Sequence, residues 1–327
     1  MVHLFYILWK GELWLATFIT TVNIVVPIFL LVVLGALLRK VGILDAPGCA
    51  KMNTFSFDVL VPAMVFYNIY EAELSSFTNP RLLLFCMASV SAVFLVLMAL
   101  IPRLEKDRSR VGVIIQGIFR SSFVVLGMGL AASMYPGQDM SIIAIASTVV
   151  APLFNAFAVI ALEVFSSQKP DPWRIALGVV KNPLIIASVL ALLMLLTGLR
   201  LPYLIDVTVQ NLSACATTVS LVVLGGSLSF AGIGASKKQL AGAVLGKMVV
   251  LPLIFIPLAV WMGFRDMELL CVLILFASPS PVTAPVMARN VQGADWQLAG
   301  QIVVFSTTFS ILSLFCFIYA LLSLGLL

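Results

Sequence analysis

The chain has 327 residues, 62% of them hydrophobic and only 10% charged, with a formal net charge of +5. A soluble domain carries about 45–50% apolar and about 25% charged residues, so this composition excludes one. Apolar blocks recur along the whole length, which indicates a polytopic protein of the lipid bilayer. The excess of cations is then a topology signal, and no nucleic-acid partner is expected.

Residues 1–16 hold Trp9, Lys10, Glu12 and Trp14 among apolar neighbours, and 1–17 reads as an N-terminal interfacial segment. The first apolar stretch, Ile19 to Leu38, has the length of a full span and ends at Arg39-Lys40, so it is not a cleavable signal. Further spans are predicted over 50–70, 82–101, 111–134 and 141–165. A polar cytoplasmic linker at 166–180 precedes 181–198, 207–229, 239–262, 268–288 and 297–324. The expectation is an all-α membrane protein of ten transmembrane helices.

Charge placement agrees with that count. If the first span runs outward to inward, the inner connections collect 14 lysines and arginines, among them Lys247 and Arg289. The outer side collects Lys10, Arg81, Arg200 and Arg265, and Arg120 stays in the membrane. The positive-inside bias therefore places both termini outside the cytoplasm. Lys247 and Glu163 read as interfacial residues at span ends.

At an offset of 156 residues, Ser122, Ala132, Gly137 and Asp139 match Ser278, Ala288, Gly293 and Asp295. The chain then divides into five-helix halves, 18–165 and 181–327. With five spans each, the second half enters the membrane from the opposite side, which is the inverted-repeat plan of many secondary transporters.

Each half carries an irregular segment in its fourth span. Phe276–Arg289 contains Pro279, Pro281 and Pro285, and no regular helix runs through three prolines. Broken backbone survives in lipid only when buried in protein or lining a polar cavity. Gln116–Gly129 holds three glycines, the Ser121-Ser122 pair and Arg120. A cation at that depth needs a partner or a wet cavity, and its guanidinium fork suits a carboxylate. The candidate substrate site is therefore Arg120, Ser121 and Ser122 with Ser278, Pro279, Ser280 and Thr283.

Asp58, in the second span, is a candidate for proton or sodium coupling or for a structural pair with Arg120. Asn155, Thr217, Thr218 and Ser220 suit helix packing or pocket lining, and Gly225-Gly226 suits close helix approach. The single histidine, His3, lies at the terminus, and no phosphate-binding glycine loop or metal cluster occurs. Cys49, Cys86, Cys215, Cys271 and Cys316 lack paired spacing and read as small apolar residues. No enzyme and no cofactor are expected.

A run of short motifs is similar to the auxin efflux carrier family of permeases, within the wider bile-acid and arsenite transporter group. The motifs are Asn53-x8-Pro62, Gln116-Gly-x-Phe-Arg120, Pro152-Leu-Phe-Asn155 and Asn182-Pro-Leu-Ile. They continue with Leu224-Gly-Gly-Ser-Leu228, Ala277-Ser-Pro279, Met287-Ala288, Gly293-x-Asp295 and Ser306-Thr-Thr-x-Ser310. The resemblance implies two inverted five-helix repeats whose broken helices 4 and 9 cross at the substrate site. It also implies a small organic anion as substrate, a plasma (bacterial inner) membrane location and a homodimer. Ser122 stands where similar permeases often carry asparagine, Met128 where a proline commonly follows, and Thr218 near a usual seventh-helix proline. The expected function is a permease for a mono- or dicarboxylate of the malate or malonate kind. The alternative is a passive channel or a membrane sensor of a small carboxylate.

Overall fold

The computed structural model describes residues 26–27, 30–71, 80–123, 130–131, 134–135, 141–165, 180–227 and 233–327. The interfacial segment 1–17 and nearly all of the linker 166–180 lie outside the described residues, as does much of 124–140. Among the described residues every regular element is helical. Five helices among the described residues are long and apolar enough to cross a membrane: Pro80–Leu104, Ala146–Val164, Tyr203–Ser227, Ser236–Trp261 and Trp296–Ser323. Shorter apolar helices accompany them.

In chain order, α1 covers 30–40. Helix α2 runs over Ala46–Phe55, through a π-turn at Ser56–Leu60, and on over Val61–Tyr70. Asp45 caps its start by accepting from the Gly48 amide at 2.7 Å. Helix α3 spans Pro80–Leu104, α4 Arg108–Phe119 and α5 Ser141–Val164. Helix α6 spans Pro183–Thr197 and α7 Tyr203–Ser227. Helix α8 joins Ile233–Leu245, a second π-turn at Gly246–Val250, and Leu251–Trp261. The ninth predicted span is two pieces, α9 Asp266–Ala277 and α10 Thr283–Arg289, and α11 covers Trp296–Ser323.

The two π-turns have one local cause. Pro62 and Pro252 each lie just beyond a turn and have no N–H to continue the regular ladder. The amide before each proline reaches back five residues instead: Val61 donates to the Ser56 carbonyl and Leu251 to that of Gly246. The second π-turn brings a correction. Lys247, expected at a membrane surface, is fully buried inside the bundle, so thirteen cations remain on the inner side of the expected topology.

Packing sorts the helices into two groups. One contains α1, α2, α6 and α7; the other contains α3, α4, α5, α8, α9, α10 and α11. In the first group α1 and α7 meet backbone to backbone. A Cβ on Gly225 would lie 1.9 Å from the Val32 carbonyl oxygen, and one on Gly35 would lie 2.0 Å from that of Val222. Small residues thus set that contact, as is usual between membrane helices. In the second group α4 and α9 are buried on all sides, Val111 to Phe119 and Leu269 to Ala277 without interruption. Helices apolar all round belong at the centre of such a bundle.

The starts of α4 and α11 are tied together. Asp295 caps α11 through the Leu298 amide at 3.0 Å, donates its own amide to the Ser109 carbonyl at 2.9 Å, and pairs with Arg110 at 3.3 Å. The Gly293-x-Asp295 motif is therefore a helix cap that fixes where α4 begins.

Candidate functional site

Helices α4 and α9 end at matching points. The C-cap of α4 is Arg120, with φ −74 and ψ 150; that of α9 is Ser278, with φ −71 and ψ 148. These positions are 158 residues apart, so the local match falls two residues away from the 156-residue offset that pairs Ser122 with Ser278. Ser278 is extended because the residue before a proline is pushed out of the helical region. Arg120 has no such neighbour and is held by tertiary bonds.

Those bonds form a compact set. The Ser122 amide donates to the Pro279 carbonyl at 2.8 Å, and the Ser280 hydroxyl donates to the Gly117 carbonyl. Ser121 Oγ donates to the Ile274 carbonyl at 3.3 Å, and Gln116 Nε2 to that of Ala284 at 3.2 Å. The Ser280 amide finds Ser306 Oγ on α11 at 3.2 Å. Each broken segment thus supplies partners for groups that a continuous helix would have paired internally.

Arg120 lies 4% exposed between these segments. One terminal nitrogen donates to Asn155 Oδ1 and to Thr283 Oγ1, both at 3.0 Å; the other faces Met287 Sδ at 2.9 Å. Its Nε has no partner. Among the described residues no carboxylate pairs with it. Of the two readings of Asp58, the pair with Arg120 is not what this structure holds: Asp58 is exposed on the π-turn of α2 and does not line the site.

A cavity of about 110 Å³ opens in front of Arg120. The larger group lines it with the α4 break, with Ser147, Thr148 and Asn155 of α5, and with Pro281 to Thr283. The smaller group lines it with Met64, Asn68 and Thr217. Ser121, Ser122, Thr283 and Asn155 thus join Arg120 at the cavity. Ser278, Pro279 and Ser280 lie behind it and shape the break. Thr218 is exposed on another face of α7, and its neighbour Thr217 lines the cavity instead. Sequence reasoning missed Asn68, Ser147 and Thr148, although polar side chains in otherwise apolar spans were available as a signal.

The arrangement is a buried cation surrounded by neutral polar side chains and facing a cavity between two helix groups. Such a cation is costly unless an anion compensates it.

Two comparisons bear on this geometry. The family model described as membrane transport protein matches residues 20–169 and 173–318. An uncharacterized transporter of Methanothermobacter thermautotrophicus is 23% identical over 311 residues, covering 91% of this chain and 97% of that protein. The chain therefore belongs to the membrane transport protein family, the auxin efflux carrier permeases, and is a multi-pass membrane transporter.

Proposed function

We propose that this protein is a secondary transporter of a small organic anion, a mono- or dicarboxylate of the malate or malonate kind, working by alternating access. The observation that carries the reading is Arg120. It is a buried guanidinium beside a cavity, held by an amide, a hydroxyl and a thioether, with no acid on it among the described residues. A substrate carboxylate would supply the missing charge through bonds stronger than neutral ones. An engineered cavity of about 150 Å³ admits benzene, so one of 110 Å³ favours the smallest carboxylates.

The cavity lies between the two helix groups, so movement of one group against the other would open it to either side in turn. The grouping also supports an inverted ten-span plan. On that plan the first two spans of each half form the smaller group and the last three form the larger. The positive-inside bias places both termini outside the cytoplasm of a plasma or bacterial inner membrane. We assign Asp58 no role in the substrate site.

Reconstituted protein should exchange external labelled malonate or acetate for internal unlabelled anion, with saturation. Malonate or acetate should also raise the melting temperature of the purified protein, because a ligand of the folded state stabilises it. A channel would show neither saturation nor counterflow. Absence of binding by every mono- and dicarboxylate tested would overturn the anion assignment.

A further inference from the structure

Among the described residues Lys247 is a second cation buried inside the bundle, and the anion site does not use it. It sits in the π-turn of α8 with no exposure, and its Nζ lies 3.5 Å from the carbonyl oxygen of Leu275. Leu275 belongs to the last turn of α9, where carbonyls lose their helical partners and carry partial negative charge.

No carboxylate lies at the level of Lys247 on the elements packed against its turn, which are α4, α9 and α11. Helix α4 offers Arg108 and Arg110 in its first turn and Arg120 beyond its end. Helix α9 has Asp266 and Glu268 in its first turn, seven or more residues and about 10 Å of helix away from Leu275. Cys271, one turn before Leu275, engages Cys86 of α3. On α11, Cys316 and Tyr319 are exposed, and on α8 itself Lys237 and Lys238 are exposed near the start.

A buried row of hydroxyls on α11, each donating to a backbone carbonyl, runs from the crossing to this lysine's turn. Ser306, Ser310 and Ser313 share one helix face and are all buried. Ser306 Oγ accepts from the Ser280 amide inside the α9–α10 break. Ser313 Oγ donates to the carbonyl of Met248, the residue after Lys247, at 2.6 Å.

We infer that Lys247 is the proton-coupling site of this transporter, binding one proton from the water on one side when the anion occupies the crossing and releasing it on the other. The inference rests on the anion-transport reading above. A proton on Lys247 adds a second positive charge to an interior that already holds Arg120. An anion at the crossing offsets that charge, so anion and proton favour each other's binding reciprocally. One proton per monoanion makes the passage electroneutral, and one proton per dianion such as malonate leaves one net negative charge moving with the substrate. A lysine can take up and release a proton in this way, whereas an arginine stays charged.

Proteoliposomes of the wild type, Lys247→Met and Lys247→Arg give the test, with labelled malonate as the probe and protein-free liposomes as the blank. Exchange is measured at equal pH on both sides, and accumulation is driven by an acid outer medium. Wild type should do both. Each variant should keep exchange and lose at least about tenfold of the gradient-driven accumulation, the scale of a typical coupling energy. Accumulation by Lys247→Arg at the wild-type level would make Lys247 a fixed charge capping α9 and overturn the proposal. Wild-type accumulation by Lys247→Met would do the same, as would a wild type that exchanges without accumulating. If Lys247→Met fails to fold, the arginine variant decides. A wild type that neither exchanges nor accumulates the probe defeats the anion reading itself, and the coupling role with it.

Discussion

The amide of Ser122 donates to the carbonyl of Pro279 across 2.8 Å, joining two breaks that lie far apart in the chain. The donor is free because α4 stops at Arg120. The acceptor is presented because Ser278, preceding a proline, cannot stay helical. Replacing Pro279 by alanine leaves the carbonyl in place chemically but lets α9 extend and turn it away. We expect Pro279→Ala to lower exchange by roughly tenfold to a hundredfold, the scale of an ångström-sized misplacement at a reacting site. The melting temperature should fall by only a few degrees. Labelled-malonate exchange and a thermal melt measure the two effects separately.

Arg120 should respond to charge and to shape differently. Arg120→Ala removes the cation and both bonds a carboxylate would accept, at about 1.5–3 kcal/mol for each charged hydrogen bond. Malonate binding measured by calorimetry should then weaken by at least about a hundredfold. Arg120→Lys keeps the charge but not the planar fork, and should fall between the wild type and the alanine variant. Equal binding by all three proteins would remove Arg120 from the site.

The contact between α1 and α7 makes a prediction about stability alone. A Cβ at Gly225 would meet the Val32 carbonyl oxygen at 1.9 Å, and backbone cannot yield as a flexible side chain does. Gly225→Ala should cost on the order of 1–3 kcal/mol and lower the melting temperature. Gly242→Ala, with nothing within 4 Å of the added carbon, should leave it unchanged or raise it.

How much of this was legible in the sequence depends on which residues encode each feature. The α9 break is written in Pro279 and Pro281, so its place could be read directly. The α4 break contains no proline and follows from Ser122, Ser280 and Gly117 meeting across the bundle, so only its glycines and hydroxyls hinted at it. A pair with Arg120 was one of the readings open for Asp58, because sequence alone gives both residues as charges inside spans and not the faces they point to. Helical phase puts Asp58 on the exposed side of α2 and sets Asn155 beside the guanidinium. Lys247 was misplaced for a related reason: sequence alone puts it at the inner end of the predicted 239–262 span, but α8 starts earlier, at Ile233, and carries Lys247 into the bundle on its π-turn. Thr217 and Thr218 differ by one residue, and a single step of 100° around α7 decides which of them meets the cavity.

The sharpest test of the anion site changes one atom type. Asn155 Oδ1 accepts from Arg120 at 3.0 Å, and aspartate is the same size as asparagine. Asn155→Asp would place a fixed carboxylate against the guanidinium, forming the ion pair that the described residues lack. The fold should hold or gain slightly, because a buried cation acquires a compensating charge at hydrogen-bonding distance. Substrate should lose in proportion, since its carboxylate would have to displace an internal one and approach a second negative charge. We expect malonate affinity to fall by roughly tenfold to a hundredfold, the effect of placing like charge against a ligand. The melting temperature without ligand should not drop. Arg120→Ala combined with Asn155→Asp should be less stable than either single change, because it leaves the new carboxylate buried without its cation. Calorimetry with malonate and thermal melts of the four proteins complete the cycle. Unchanged malonate affinity in Asn155→Asp would show that Arg120 does not bind the anion.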